Sequence, residues 1–168
     1  MATAQNGARS PSQKLEGRWR LISGSVGPRV GLARGILVHL RPNDLLEFEL
    51  QQATVTPLDE AGRPTPNPIG VSGNGRGAWR IVSNNSSMGS LTIELEDLSV
   101  VQLRIHARRG PAIPLPAQAL QSRIARQLAK IEHLPMSVVL ENQTLTLLGS
   151  AQGIPLVFQF EIDPTAAC

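Results

Sequence analysis

The stretch "SVVLENQTLTLLGSAQGIPLVFQFEID", Ser137–Asp163, decides the fold. Val139 leads to a turn at Glu141-Asn142-Gln143, and Leu145 and Leu147 lead to a second turn at Gly149 to Gly153. Leu156, Phe158 and Phe160 form a last run that alternates with Val157 and Gln159. Alternation with a period of two marks a strand with one buried face, because successive side chains point to opposite sides of a sheet. Turns this short leave no room for a crossover helix, so the three strands must run antiparallel.

The same pattern extends upstream. Trp19 to Ser25 reads as a strand that breaks on "GSVGP", where Gly24, Gly27 and Pro28 interrupt a ladder, and a loop rich in glycine and arginine follows. "GILVHL" (Gly35 to Leu40) and "DLLEFELQQATVT" (Asp44 to Thr56) are the next strands, joined by the turn sequence "RPND". In the second of these, Leu46, Phe48 and Leu50 alternate with Glu47 and Glu49. "PLDEAGRPTPNPIGVSGNGRG", Pro57 to Gly77, has no apolar period and reads as a long loop, functional or mobile. "AWRIVS" (Ala78 to Ser83) turns through "NNSSMGS" into two further strands, one carrying Leu91, Ile93 and Leu95 and the other Val101, Leu103 and Ile105.

After the prolines of "RRGPAIPLPA" the period changes. Leu120, Ile124, Leu128 and Ile131 fall at helical spacing, with Arg123, Arg126 and Lys130 facing elsewhere, which predicts an amphipathic helix from Ala117 to Leu134. Pro116 suits its start and Pro135 its stop. The expected fold is therefore mainly β: an antiparallel, lipocalin-like β-barrel of about eight strands with one α-helix, the closed form that best hides strand edges. Residues 1–14 are expected to be a disordered tail, 15–163 a single barrel domain and 164–168 a C-terminal tail.

Composition narrows the function. A length of 168 residues, 41% apolar and 17% charged, suits one domain with a real core. Aromatic residues make up 3% and tyrosine is absent, which argues against the stacking platforms that bind single-stranded nucleic acid, so no nucleic-acid partner is expected. The net charge of +3 is concentrated in Arg104, Arg108, Arg109, Arg123, Arg126 and Lys130, with Glu132 opposing them. Such a face meets anionic lipid headgroups, a phosphate-bearing ligand or nucleic acid, or is an ordinary solvated surface. The single Cys168 allows no internal disulfide and no cysteine metal cluster. No apolar run approaches the roughly 18 residues of a spanning helix, and the first residues lack the apolar centre of a secretory signal, so a soluble or peripheral protein is expected.

The two tryptophans stand in matching settings, "GRWRLISGS" (Gly17 to Ser25) and "GAWRIVSNN" (Gly77 to Asn85). A tryptophan at the start of a barrel strand can cover the narrow end while its indole N–H reaches a loop carbonyl. The second copy then gives a matching ring, on the same floor or on the opposite sheet; two ordinary core tryptophans are the competing reading.

"KLEGRWRLISGS" and "VVLENQTLTLLGSAQGIPLVFQF" resemble the opening and closing signatures of the plastid lipid-associated proteins, or fibrillins, and more broadly of calycin barrels. Leu15, Gly17, Trp19, Leu21 and Ile22 fall on the first signature. Glu141, Leu145, Leu147, Gly153, Val157 and Phe158 fall on the second. The chain departs from the family pattern at Ser23-Gly24, at Thr146 and at Gly149-Ser150. The resemblance implies a lipocalin-like barrel that handles prenylquinones, carotenoids or other lipids. It also implies contact with a membrane or lipid body, in a plastid such as the chloroplast or in the cyanobacterial cytoplasm at the thylakoid surface.

Catalytic patterns are scarce. His39, His106 and His133 lie on separate elements, so no metal site is expected. "GNGRG" (Gly73 to Gly77) lacks the ending of a phosphate loop and reads as a flexible loop. Ser23 and Ser87 lack a nucleophile motif, and Glu47 with Glu49, like Glu94 with Glu96, suits the solvent side of a strand. No catalytic residue and no cofactor are expected.

The leading expectation is non-catalytic burial of a hydrophobic small molecule. Trp19, Leu21, Phe48, Trp79, Ile81, Leu103, Leu147 and Phe158 would line the cavity, and Arg108 and Arg109 would meet a headgroup at its mouth. The same apolar faces also suit a solidly filled core. The alternative function is a protein-interaction module that uses the barrel as scaffold, with the 57–77 loop and the basic helix meeting a protein partner.

Overall fold

A computed structural model of the chain describes residues 11–66, 69–84, 87–105, 113–114, 117–129 and 132–163. A short helix α1 (Pro11–Leu15) precedes β1 (Gly17–Val26), β2 (Arg29–Arg41), β3 (Leu45–Pro57), β4 (Ile69–Asn84) and β5 (Ser87–Ile105). The two-residue β6 (Ile113–Pro114) and the helix α2 (Ala117–Ala129) come next, followed by β7 (Met136–Glu141), β8 (Thr144–Ala151) and β9 (Ile154–Ile162). Each of the first five strands pairs antiparallel with the next; β5 then pairs with β7, β7 with β8, β8 with β9, and β9 returns to β1. Eight strands thus close into an antiparallel barrel, as the alternation predicts. β6 is an appendage on the far end of β5, at Arg104 and Ile105, and α2 lies against β5.

Local chemistry sets the hairpins. Asn43 and Asp44, Asn142 and Gln143, and Gln152 and Gly153 are consecutive pairs with positive φ, the backbone that matches a turn to the right-handed twist of its strands. The last of these turns is tighter than the Gly149 to Gly153 turn expected, and β8 continues to Ala151. The closing seam is tied by the Asp163 N–H, which donates to the Arg18 carbonyl at 3.0 Å, and by the Arg18 guanidinium 3.6 Å from the buried Asp163 carboxylate.

Bulges bend the wall. Pairing of β1 slips beside Ile22 on both edges, and β2 and β3 slip together at Gly35 and at Gln52. An extra residue at such a point bends its strand and shifts the alternation, which a barrel needs in order to close.

Three expectations give way to strands or helix. Residues 11–14, placed in the disordered tail, belong to α1, and the Leu15 that follows them is fully buried. The loop expected after Ser25 is only the turn at Gly27 and Pro28, since β2 already begins at Arg29. The latter part of the long loop Pro57 to Gly77, from Ile69 on and including the "GNGRG" segment, is the start of β4. The remainder, as far as residue 66, is ordered by the Asp59 carboxylate, whose Oδ1 accepts from the N–H groups of Ala61 at 2.9 Å and Arg63 at 2.8 Å.

Glycine misleads here because its role in β4 is to make room. Gly75 stands opposite Phe48, and a Cβ on it would fall 2.2 Å from the ring. Gly24 stands opposite Phe158 in the same way, with the ring 3.2 Å from where a Cβ would be.

The two strands expected between Ser90 and Ile105 are one strand of 19 residues, β5, which absorbs the apparent break as skipped residues against β4 near Glu96 and Val101. The helix expected from Ala117 to Leu134 is described to Ala129, and residues 132–133 already form a turn in which the His133 N–H donates to the Ile93 carbonyl at 3.0 Å. Residues 1–10 and 164–168, expected as tails, lie outside the described residues.

Candidate ligand cavity

The barrel is closed at one end and hollow above it. Leu15, Trp19, Leu40, Leu46, Trp79, Leu91, Met136 and Leu145 belong to one buried cluster at the closed end. Both rings therefore share one floor. The Trp19 indole N–H donates to the Leu15 carbonyl at 2.8 Å, where α1 ends, and the Trp79 N–H donates to the Arg41 carbonyl at 3.0 Å, where β2 ends. The polar edge of each ring is satisfied by main chain, leaving the ring faces to pack.

Above this floor lies a cavity of about 500 Å³. Trp19, Leu21, Phe48, Leu147 and Phe158, named from the sequence, all line it. Trp79 and Ile81 do not: Trp79 is sealed within the floor, and Ile81 packs against the same buried cluster. The Leu103 side chain and Arg108 and Arg109, the expected headgroup residues, lie outside what is described.

Sequence reasoning left out much of the wall. Ile36, Val38 and Leu50 line it from β2 and β3, and Ile93 and Met136 from the junction of β5 and β7. Leu46, Leu50 and Phe160 follow from alternations already noted, whereas Val71 and Ile69 sit in a segment whose prolines and glycines hide the period.

Among the described residues the upper end is open. Val55 and Ile69 line the cavity yet are 46% and 37% exposed. Val26 and Ile154, at the ends of β1 and β9 on the same rim, are 49% and 46% exposed. Large aliphatic groups on an inward face keep contact with water where they are not covered, and among the described residues this rim is the mouth.

The described lining contains no ionisable side chain, and its sole polar side-chain atom, the Trp19 indole nitrogen, is already bonded. Such an interior favours apolar matter and offers nothing for acid–base or nucleophilic chemistry. Ser23, considered above as a nucleophile, donates outward to Gln159 Oε1 at 3.1 Å, and the Ser87 side chain lies outside the described residues. Among the described residues no group of His, Cys, Asp or Glu could hold a metal ion.

Charges gather on the outer face instead. Arg18, His39, Glu47, Arg76 and Asp97 stand opposite one another in a row across β1 to β5. Glu47 lies 2.7 Å from Arg41 and 4.0 Å from His39, Glu49 lies 3.5 Å from Arg18, and Arg20 pairs with Glu161. Glu47 and Glu49 are thus solvent-side partners of cations, as their alternation predicts. Glu94 and Glu96 are also exposed.

Burial holds the His39 pKa below its ordinary 6.5, assisted by Arg41 and Arg18 and opposed by Glu47. The unfolded chain therefore takes up a proton first as pH falls. Stability is fully present above 6.5, declines as pH drops through that value, and the loss is complete below the depressed folded value. His39→Gln is expected to flatten the part of the stability profile that falls away as pH drops below 6.5, as measured by urea unfolding at each pH.

A closed antiparallel barrel with an apolar, one-ended hollow defines the chain as lipocalin-like in architecture. No protein-family model, curated protein or solved structure matches it.

Proposed function

We propose that the barrel binds a hydrophobic small molecule reversibly, without catalysis. The observation that carries this reading is the cavity of about 500 Å³, walled by aliphatic and aromatic side chains, sealed at the tryptophan floor and open at the opposite rim. Pockets of about 300–1,000 Å³ are the usual size for small-molecule sites. Each methylene moved from water into such a space gains about 0.8 kcal/mol, so roughly ten of them supply about 8 kcal/mol before the cost of ordering the chain. That gross figure corresponds to a dissociation constant of about 1 μM.

The resemblance of the chain's two end segments to plastid lipid-associated proteins supports prenylquinones and related lipids as the first compounds to try. It supports the plastid, or the cyanobacterial thylakoid surface, as the place to look. At about 30 Å³ per methylene-sized unit, the volume one water occupies in the liquid, the cavity of about 500 Å³ holds on the order of fifteen such units. A carotenoid has more than twice as many carbons, so part of it would protrude.

The test is organic extraction of the purified protein with mass spectrometry, together with tryptophan fluorescence titration against prenylquinones and fatty acids. A co-purifying apolar compound and saturable quenching are expected; a protein that carries none and is quenched by none overturns the proposal. Val71→Phe places a ring in the cavity wall near the mouth, away from the floor. It is expected to weaken binding at least tenfold while shifting Tm by only a few degrees, the usual effect of modest overpacking.

A second reading, a barrel that serves as scaffold for a protein partner, draws on Val30 and Leu32, which are exposed on β2 beside the mouth. Co-purification of a stoichiometric protein with an empty barrel would favour it.

A further inference from the structure

We infer that the cavity takes up a chain with one polar end in a single direction, tail first, with the polar head left at the mouth. This rests on the reading of the cavity as a binding site and adds the ligand's class and direction. At the floor every polar side-chain atom is committed: the Trp19 and Trp79 indole N–H groups already donate to the Leu15 and Arg41 carbonyls. Among the described residues no buried side-chain nitrogen or oxygen lacks a partner. A carboxylate, phosphate or quinone carbonyl pushed to the floor would find no uncommitted side-chain donor there, and burying a polar group without a partner is costly.

The mouth imposes no such penalty. Its aliphatic residues Val26, Val55, Ile69 and Ile154 are all more than a third exposed, so a head placed among them keeps its hydration. A molecule with one apolar end and one polar end satisfies both regions in one orientation only. A chain carrying polar groups at both ends satisfies neither orientation.

The hollow of about 500 Å³ also sets a length, on the order of fifteen methylene-sized units at about 30 Å³ each. Affinity for straight-chain fatty acids is expected to rise about fourfold per added methylene. It should then level off near that length, because further methylenes remain in water. Branched isoprenoid acids of equal volume should follow the same rule.

Direction is read from the tryptophans. Trp19 forms the cavity face of the floor and Trp79 is packed within it, and they are the two tryptophans of the chain. Fatty acids brominated near the methyl end should quench their fluorescence several-fold more, per molecule bound, than the same acids brominated beside the carboxylate. Binding is measured separately by equilibrium dialysis, and the α,ω-dicarboxylic acid of matching length should bind at least tenfold more weakly than the monoacid.

Equal or reversed quenching, or equal binding of the diacid, overturns the tail-first inference while leaving the cavity a binding site. Failure of every acid, ester and hydrocarbon to bind overturns the binding reading itself, and this inference with it.

Discussion

Trp79→Ala is expected to lower stability by about 3–5 kcal/mol, the cost of truncating an enclosed large aromatic. In a chain of 168 residues that corresponds to a fall in Tm of roughly 6–20 °C. The ring is 2% exposed and belongs to the buried cluster that closes the narrow end. Removing it leaves a void that the surrounding strands cannot fill, because their own pairing fixes them. Two losses then add: the packing of the ring faces, and the hydrogen bond to the Arg41 carbonyl at 3.0 Å. Trp79→Phe separates them, since phenylalanine keeps most of the packing and loses the donor. Its expected cost is about 0.5–1.5 kcal/mol, the net worth of a partly buried hydrogen bond. Thermal melts followed by near-ultraviolet circular dichroism measure both, and an alanine variant as stable as the parent would show that the ring is not part of a closed floor.

Gly35→Ala is the second large effect. Gly35 has φ +76°, and a Cβ on it would fall 2.3 Å from the Gln51 carbonyl oxygen and 3.2 Å from the Ala53 Cα. The left-handed backbone costs a residue with a side chain about 1–2 kcal/mol. The collision adds about 1–3 kcal/mol, because its partner is main chain and not a side chain that can swing aside. Gly62→Ala is the matched control: its φ of +75° is almost the same, but nothing lies within 4 Å of the added carbon. Denaturant midpoints should therefore show Gly62→Ala losing the backbone term alone and Gly35→Ala losing about twice as much or more. Equal losses would mean that β2 and β3 do not bulge against each other at this point.

What the residues disclosed in advance follows the physics of each signal. Alternation worked where one face of a strand meets a core and the other meets water, as in Leu46 to Leu50 and Leu156 to Phe160, and from it came the barrel. It failed in β4, where the inward positions include Gly75, which contributes no apolar signal because an aromatic ring from β3 occupies its place. It failed again in β5, where the skips near Glu96 and Val101 reset the phase and made one strand look like two. Pairing of the tryptophans on one floor was among the alternatives the repeat allowed. The presence of a hollow was not readable at all, since the same side chains could fill a barrel or line it. The difference lies in the barrel's width and tilt, which arise from register between strands far apart in sequence.

The return of β9 to β1 couples the two extremes of the described chain, with Trp19 opposite Ile162 and Val26 opposite Leu156. A ribosome delivers β1 first, and its outer edge must then wait for more than a hundred residues of chain before a partner appears. Until that moment an exposed apolar ribbon is available to any other unfinished copy. Slow refolding and strand exchange between molecules at high concentration are therefore the characteristic failures of this topology, because the entropy of bringing distant segments together is spent before their contacts reward it. Joining the ends by a short linker and opening the chain instead in the Asp59 hairpin would make that late meeting a local one, and refolding should become faster while the finished barrel stays the same.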